Sequence, residues 1–513
     1  MSPVTASTSR VLNSTLERKI MSAEEAAALI RSGDQVGMSG FTGSGYPKSV
    51  PVQLAKKMSE AHFRGEKFQV SVFTGASTGP ELDGALALAG GIHLRLPYQS
   101  DPETRKRINS GEMEYMDIHL SHVAQFVEYG FLGKMDVALI EVAAVLEDGR
   151  LIPSSSIGNN KTWIDQAERV ILEVNSWQPM ALEGMHDIYY GLKLPPNRGP
   201  IPLTNPGQRI GTPYLEVDPK KVVAIVLTDS PDRNSPFKAP DEASKKIAGH
   251  ILEFLSWEVK KGRMPENLLP LQSGVGNIAN AVLFGLEEGP FEGLTSYTEV
   301  IQDGMIRLLK SGKLVSASAT AFSLSPEMLT EVNANMATYR DRIVLRQQDI
   351  SNHPEIIRRL GVIAMNGMIE ADIYGNVNST HVMGSRIQNG IGGSGDFARN
   401  GYLSIFMAPS RAQKGAISTM VPMVSHVDHT EHDVQVVVTE NGLADLRGLS
   451  PRQRAKLIIE KCAHPEYKPL LADYLERSER LSYGKHTPHL LTESLSWHNR
   501  YLRCGQMKPK EEN

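Results

Sequence analysis

The sequence predicts an α/β protein with mostly parallel sheets, built as two similar domains. Three observations support this prediction. Near-continuous apolar runs with polar ends alternate with helix-like segments, and such runs are typical of strands buried on both faces of a parallel sheet. The chain has 513 residues, more than one ordinary core accommodates. The order of apolar runs and turns in the first half recurs in the second half, so the domains should resemble each other.

The elements follow in chain order. In the first half, we predict strands at Asp136–Ala143, Arg169–Asn175 and Val222–Asp229, with a turn at Val145–Leu151 after the first. In the second half, the matching features are a turn at Asp372–Val377 and strands within Gly401–Pro409 and Val434–Glu440. One large irregular sheet is the alternative to two domains.

The stretch Ser230–Lys246 is rich in proline, serine and charge, and it is the predicted joint between the domains. A helix is predicted to start at Pro240–Asp241 and to end at Gly262. We therefore predict an N-terminal domain over residues 1–235 and a C-terminal domain over residues 236–513, with an appendage after about Leu481.

Composition argues against several classes of protein. The net charge is −4 and no basic surplus is present, which argues against nucleic acid as a partner. The sequence contains no uninterrupted run of about 18 apolar residues, the length that a membrane-spanning helix needs. The two cysteines, Cys462 and Cys504, lack metal-ligand spacing and favour a reducing compartment. The N-terminal segment lacks the apolar core of a secretory signal, so we expect a cytoplasmic protein, or a mitochondrial one if the source is eukaryotic.

Glu299 raises the first chemical question. Thr295, Tyr297, Thr298 and Val300 predict a short strand, and the Gln-Asp-Gly that follows predicts its exit loop. A carboxylate near the end of a buried strand is costly to bury, so we expect it to have either a partner or a chemical role.

A glycine-rich turn at Gln272–Val282 allows two interpretations. Gly274-x-Gly276-x-x-Ala279 fits the dinucleotide fingerprint, with Glu299 at the distance of a ribose-binding acid. The segment before it makes a poor strand, however, and an ordinary tight turn is also compatible. In any binding role, the glycines would let backbone N–H groups at the helix N-terminus approach an anionic ligand.

Two further segments carry candidate groups. The segment Ser425–Asp433 contains His426, Asp428, His429 and His432, but without the usual metal spacing, so hydrogen-bonded structural histidines are favoured over a metal site. The glycines of Asn389–Gly401 leave backbone amides free for an oxyanion site, with a flexible loop as the alternative.

Taken together, these segments resemble the acetyl-CoA hydrolase/transferase family, and most closely its succinyl-CoA:acetate CoA-transferase branch. The motifs that carry the resemblance are GFTGSGYPKSVP, GASTGPELDG, LLPLQSGVGNIANAV, YTEVIQDG, QQDISNHPE, NGIGGSGDFARN and VTENGLADLRGLSPRQRA. They extend from about Val36 to about Leu495. The resemblance implies two CoA-transferase-type domains with the active site between them, a homodimer, and coenzyme A as a substrate with no permanently bound cofactor.

The resemblance also implies roles for single residues. Glu299 matches the nucleophile, Asn352 an amide that holds the acyl oxygen, and Gly393 an oxyanion donor through its N–H. The implied CoA contacts are Gly274, Val275, Gly276, Asn277, Ile278, Asn389, Gly393 and Arg233. The family has a lysine in the loop after APS; here Gln413 occupies the aligned position and Lys414 follows it, so either could contact CoA. No metal ligand is implied.

The chemistry suits a carboxylate. A glutamate is ionised at neutral pH and needs no general base to attack a thioester. The predicted reaction moves CoA between succinyl-CoA and acetate through an acyl-glutamyl anhydride and a glutamyl-CoA thioester. The alternatives are an acetyl-CoA hydrolase of the same family and, from another class, an NAD-dependent dehydrogenase.

Overall fold

The structure is a computed structural model that describes residues 10–509. The first nine residues, which contribute to the prediction about the N-terminal segment, lie outside the described residues. Across residues 10–509, no helix combines the length and the apolar character that crossing a membrane requires.

The described part of the chain alternates strands and helices. The strands are β1 (Gln35–Met38), β2 (Val70–Phe73), β3 (Ile92–Leu96), β4 (Glu114–Tyr115), β5 (Val137–Val145), β6 (Leu151–Pro153), β7 (Arg169–Asn175), β8 (His186–Asp187), β9 (Val222–Thr228), β10 (Leu271–Ser273), β11 (Leu294–Tyr297), β12 (Val300–Gln302), β13 (Leu314–Ala319), β14 (Ala321–Ser323), β15 (Ile343–Arg346), β16 (Ile363–Gly367), β17 (Glu370–Asp372), β18 (Val377–Asn378), β19 (His381–Val382), β20 (Arg386–Ile387), β21 (Leu403–Met407), β22 (Arg411–Ala412), β23 (Ile417–Ser418), β24 (Met420–Val421), β25 (Val436–Thr439) and β26 (Gly442–Asp445). The helices are α1 (Ser14–Glu17), α2 (Ala23–Ala28), α3 (Val50–Phe63), α4 (Ala85–Leu88), α5 (Pro102–Ser110), α6 (Leu120–Glu128), α7 (Asn160–Gln166), α8 (Glu242–Lys260), α9 (Asn277–Glu288), α10 (Asp303–Lys310), α11 (Pro326–Ala334), α12 (Met336–Tyr339), α13 (Gln348–Ser351), α14 (Pro354–Leu360), α15 (Ser394–Asn400), α16 (Pro451–Lys461), α17 (Lys468–Leu481) and α18 (Ser496–Cys504).

The chain divides into two compact units. Unit 1 contains the described residues up to Phe237 together with Thr295–Leu309 and Leu314–Leu360. Its main sheet has the strand order β4-β3-β2-β1-β5-β7-β9, with β6 paired antiparallel to β5. Strand β5 is buried at every position, as its near-continuous apolar run predicts for a central parallel strand. A second set of unit 1 strands runs in the order β11-β13-β15-β8, and β12 pairs with β14.

Unit 2 contains Lys238–Leu294, Lys310–Lys313 and the described residues from Gly361 onward. Its strands follow the order β26-β25-β21-β16-β10, in which only the β25–β26 pair is antiparallel. Helix α8 begins where predicted, because the Asp241 side chain accepts a hydrogen bond from the Ser244 N–H and caps the first turn. The C-terminal helix α18 packs on this unit. Trp497 of the helix and Met507, which follows the helix, both belong to the apolar core of unit 2.

The predicted repeat is present in the topology. Unit 1 has the parallel order β1-β5-β7-β9 and unit 2 has the parallel order β10-β16-β21-β25. The predicted strands Arg169–Asn175 and Val222–Asp229 are β7 and β9, and their expected counterparts are β21 and β25. The α/β fold with mostly parallel sheets is therefore confirmed.

The units are divided differently from the predicted domains. The first break, after Phe237, falls near the predicted boundary, but Thr295–Leu309 and Leu314–Leu360 pack with unit 1. The physical reason is strand pairing: β15 pairs with β8, which comes from the N-terminal half of the chain. The segment with Glu299 thus belongs to unit 1.

Two local predictions also differ from the structure. Gln302 ends strand β12 and Asp303 begins helix α10, so the expected exit loop is absent there. Asp303 accepts hydrogen bonds from the N–H and the hydroxyl of Ser325, which holds the first turn of α10 in place. The segment before the glycine-rich turn was expected to make a poor strand, but it forms β10, which is three residues long.

Candidate active site

Glu299 lies in a two-residue break between strands β11 and β12 of unit 1. Its carbonyl accepts hydrogen bonds from the main-chain N–H groups of Thr320 (2.9 Å) and Ala321 (3.3 Å). The N–H of the preceding Thr298 donates to the carbonyl of Ser318 at 2.9 Å. These bonds fix the backbone at the break, while the Glu299 side chain is only half-buried. The carboxylate therefore projects from a rigid support and is accessible to a reactant.

Asn352 lies beside Glu299, as the resemblance implies. Its side-chain Nδ2 donates a long hydrogen bond to Oε1 of Glu299 at 3.5 Å. Asn352 is fully buried at the end of helix α13, and its N–H donates to the carbonyl of Gln348 at 2.9 Å. The side chain of Gln348 in turn donates to the carbonyl of Leu120 at 3.0 Å, which ties α13 to helix α6. The amide donor is thus held close to the acid by the helix that carries it.

Two titratable groups flank Asn352 along the chain. Burial, together with the nearby charge of Arg198, lowers the pKa of His353 to about 4, so the imidazole is neutral at neutral pH. Burial raises the pKa of Asp349 above its ordinary value. The donor next to Glu299 is therefore a neutral amide with a neutral imidazole as its neighbour in sequence.

Arg233, the predicted phosphate-binding residue, is also in unit 1. Its Nε donates to Oε1 of Glu81 at 2.9 Å, and the hydroxyl of Tyr46 donates to the other oxygen of Glu81 at 2.6 Å. The Arg233 side chain remains 54% exposed, while its main-chain N–H donates to the carbonyl of Gly43 at 2.8 Å. The guanidinium is therefore held by one carboxylate and still open to an anion.

A buried ionic cluster, which the sequence analysis missed, supports this segment. Lys48 Nζ lies 2.6 Å from Oε2 of Glu141 and 3.0 Å from Oδ1 of Asp232, the neighbour of Arg233. Burial opposes the charge of Lys48, but the two carboxylates raise its pKa overall, and burial raises the pKa of Glu141 to about 7 against the opposing charge of Lys48. Buried charged groups could have been predicted here, because Glu141 and Glu173 interrupt otherwise apolar strands.

A cavity of about 310 Å³ lies in unit 2, where strand β10 turns into helix α9. All five residues of the predicted CoA-binding turn line it, namely Gly274, Val275, Gly276, Asn277 and Ile278. Asp241, Ser244, Ala279, Gly367, Met407 and Pro409 complete the wall, and apart from Ala279 none of them was predicted to line a ligand site. Gly276 precedes α9 with φ 131° and ψ −177°, a conformation that only glycine adopts readily. The first N–H groups of the helix have no helical partners and can face an anionic ligand here.

The other predicted glycine-rich loop lies in unit 2 as well. Gly393 is buried and directly precedes helix α15, and Gly392 has a left-handed φ of 58°. Asn389 is half-buried four residues earlier. This loop is therefore an ordered turn, and the alternative of a flexible surface loop is not supported.

Gln413 and Lys414 occupy an exposed turn between strands β22 and β23. Their φ values are 49° and 55°, so the turn presents both side chains from a left-handed backbone. Both positions are accessible to a ligand.

In the histidine-rich segment of unit 2, His429 Nε2 lies 3.2 Å from the hydroxyl oxygen of Ser379. Asp428 accepts hydrogen bonds from the Ser379 N–H at 2.6 Å and the Thr380 hydroxyl at 2.9 Å. In residues 10–509, no group of three or more His, Cys, Asp or Glu residues is placed to hold a metal ion.

Comparison with known proteins identifies the family that this chain resembles. The N-terminal domain model of acetyl-CoA hydrolase/transferase matches residues 5–227, and the C-terminal domain model matches residues 330–475. The chain is 53% identical to the succinyl-CoA:acetate CoA-transferase of Clostridium kluyveri, over 97% of this chain and 92% of the relative. It is also 45% identical to an acetyl-CoA hydrolase of Schizosaccharomyces pombe, over 98% of each chain.

The fold is shared with a solved structure. The crystal structure of RipA from Yersinia pestis superimposes with a TM-score of 0.70 at 22% identity, over 91% of this chain and 99% of that one. At this identity, the likeness concerns the fold alone.

Proposed function

Because this chain belongs to the acetyl-CoA hydrolase/transferase family, we propose that it transfers CoA between succinyl-CoA and acetate through covalent intermediates on Glu299. The observation that carries the proposal is the pairing of an accessible carboxylate on a rigid backbone with the amide of Asn352. The name of the Clostridium relative supports the choice of succinyl-CoA and acetate.

The first half of the reaction forms two intermediates. A carboxylate oxygen of Glu299 attacks the thioester carbonyl of succinyl-CoA, the C–S bond breaks, and CoA leaves as the thiolate. The product is a succinyl-glutamyl anhydride. The thiolate then attacks the glutamyl carbonyl, succinate leaves as the carboxylate, and Glu299 becomes a glutamyl-CoA thioester.

The second half reverses these steps with acetate. Acetate attacks the glutamyl thioester, which releases the thiolate and forms an acetyl-glutamyl anhydride. The thiolate attacks the acetyl carbonyl, so that acetyl-CoA leaves and the Glu299 carboxylate is restored. No net proton is consumed. A serine nucleophile would give a stable oxygen ester instead and lose the free energy of the thioester.

Each attack creates an oxyanion, either on the substrate carbonyl or on Glu299 itself. One preorganised donor lowers such a barrier by about 3–4 kcal/mol. We assign Asn352 as one donor and the Gly393 N–H as the other. The wall of the unit 2 cavity would bind CoA through residues 274–278, with Asn389, Arg233 and the exposed turn at Gln413 and Lys414 as further contacts. Coenzyme A acts as a substrate in this scheme, and no permanently bound cofactor is needed.

A hydrolase is the second candidate, because the Schizosaccharomyces relative carries that name. It would differ only in the acceptor, since water would attack an intermediate in place of acetate. We set the dehydrogenase interpretation aside, because the relative that is 53% identical over 97% of this chain is named as a CoA-transferase. We further propose a homodimer in a cytoplasmic setting, or a mitochondrial one in a eukaryote, with no nucleic acid or membrane partner.

The test separates transfer from hydrolysis. Succinyl-CoA is incubated with the protein with and without acetate, while acetyl-CoA and free thiol are both measured. If the protein is a transferase, acetyl-CoA forms only when acetate is present, and little free thiol is released. The steady-state kinetics should then be ping-pong. Equal thiol release in both samples, without acetyl-CoA, would refute the proposal in favour of hydrolysis. The isosteric variant Glu299→Gln serves as the inactive control.

A further inference from the structure

The histidine-rich segment contains one side chain that points at the glycine-rich loop. His429 is 2% exposed, and its ring packs on Phe406 with 4.6 Å between the ring centroids. Its main chain pairs with Val377, since the Val377 N–H donates to the His429 carbonyl at 2.8 Å. Backbone and ring contacts thus fix the imidazole in one place.

The imidazole contacts two serine hydroxyls. Nε2 of His429 lies 3.2 Å from the hydroxyl oxygen of Ser394 and 3.2 Å from that of Ser379. The Ser394 hydroxyl donates its hydrogen to the carbonyl of Ile391 at 2.7 Å, and the Ser379 hydroxyl is placed to donate to Asp428 at 3.3 Å. A hydroxyl has a single hydrogen, so both serines act as acceptors toward the ring. The hydrogen-bond network therefore assigns a hydrogen to Nε2, with His429 as the donor.

Ser394 connects this imidazole to Gly393. The hydroxyl and the main-chain N–H of Ser394 both donate to the carbonyl of Ile391, at 2.7 Å and 3.3 Å. These bonds close the turn Ile391–Ser394, which contains the left-handed Gly392 and the peptide whose N–H belongs to Gly393. Glycines alone would leave this turn many conformations, so its direction depends on what holds Ser394.

We propose that His429 is a positioning residue, which acts through Ser394 to hold the turn Ile391–Ser394 and with it the N–H of Gly393. His429 itself touches no reacting atom. The inference rests on the proposed function, in which this N–H donates to an oxyanion. A misplacement of about 1 Å at such a donor can lower the rate about 100-fold, so a distant anchor has a measurable effect.

Variants at two histidines test the proposal. His429→Gln keeps an N–H donor near the Nε2 position, whereas His429→Leu keeps the apolar volume and removes the donor. His432→Leu is the matched control, because His432 lies in the same segment but is exposed. We expect His429→Leu to lower kcat about 10- to 100-fold with KM for succinyl-CoA changed less than about 3-fold, and His429→Gln to restore most of kcat. His432→Leu should match the wild type.

A double-mutant cycle with Ser394→Ala makes the coupling explicit. If His429 acts through Ser394, Ser394→Ala alone lowers kcat, and adding His429→Leu lowers it little further. Additive losses would overturn the inference, as would a kcat of His429→Leu within about 2-fold of the wild type. If His429→Leu does not fold, Ser394→Ala alone decides, and an unchanged kcat in that variant overturns the inference.

The proposed function is tested separately in the same series. Wild-type protein is first treated with succinyl-CoA and borohydride, and the mass of the peptide containing Glu299 is measured. If Glu299 is unmodified, the proposed function fails. If Glu299 is modified and His429→Leu is fully active, only the role of His429 fails.

Discussion

At the scale of single residues, the site pairs the acid Glu299 with the amide of Asn352. Asn352 donates a long hydrogen bond of 3.5 Å to Glu299, and its own position is set by helix α13. A nucleophile bound strongly by donors would be stabilised in its ground state and slowed. A donor that approaches closely only when negative charge develops lowers the barrier instead.

Substitution of Asn352 tests this division of roles. Asn352→Ala should lower kcat about 100- to 1000-fold, the usual effect of removing one oxyanion donor, while KM for succinyl-CoA changes little. Steady-state kinetics measure both constants. Asn205→Ala provides a control at another asparagine of unit 1, because Asn205 is exposed. A raised KM with unchanged kcat would show that Asn352 only binds the substrate.

At the scale of elements, the turn from β10 to α9 lines the unit 2 cavity and is the proposed binding site for CoA. Its conformation requires glycine at position 276, where φ is 131°. A side chain at such a φ costs about 1–3 kcal/mol of backbone strain, although a Cβ there would meet no atom within 4 Å. The expected defect is therefore a shifted turn and not a clash.

Gly276→Ala should weaken CoA binding about 10-fold, within the range that the backbone strain allows. Isothermal titration calorimetry measures the Kd for CoA. Gly249→Ala is the control, because Gly249 lies within helix α8 and a Cβ there also meets no atom within 4 Å. Equal affinity in both variants would contradict the assignment of this turn to CoA.

Within unit 2, an ionic cluster joins helix α8 to the end of strand β26. Hydrogen bonds from Arg263, together with Arg447, lower the pKa of Glu258 to about 2. Oε2 of Glu258 lies 3.0 Å from Arg447, which also pairs with Asp445 at 2.8 Å. Because the folded pKa lies below the unfolded value, this contribution to stability is present above the unfolded pKa and is lost as the pH falls toward the folded pKa.

Glu258→Gln should therefore lower the free energy of unfolding at pH 7 by about 1.5–3 kcal/mol, the range for hydrogen bonds to charged groups. The difference from the wild type should shrink as the pH falls from about 4.5 toward 2. Urea unfolding at several pH values measures this, with Glu253→Gln on the exposed face of the same helix as the control. A difference that does not vary with pH would contradict the pairing.

At the scale of the whole molecule, the sequence predicted the repeat but not the division of the chain. Apolar runs such as Arg169–Asn175 indicated the strands, because a strand buried on both faces has few other compositions. The assignment of Thr295–Leu309 to unit 1 was not predictable, since it depends on pairing between strands far apart in sequence. Local patterns contain no information about such pairing.

The candidate site, too, was only partly predictable from local sequence patterns. The glycine-rich turn at 274–278 was recognisable because backbone freedom has a direct signature in residue type. Met407 and Pro409 in the cavity wall, and the contact of His429 with Ser394, arise only when separate segments fold together. The motif containing His429 was visible in the sequence, but its partner was not.

The proposed mechanism requires Glu299 to become covalently bound to CoA during turnover. The most direct measurement is mass spectrometry of peptides after incubation with succinyl-CoA and trapping with borohydride. We expect Glu299 to be reduced to the alcohol in the wild type, and we expect prior addition of excess acetate to discharge the thioester and abolish the modification. An unmodified Glu299 in protein that still forms acetyl-CoA would rule out a covalent intermediate on this residue.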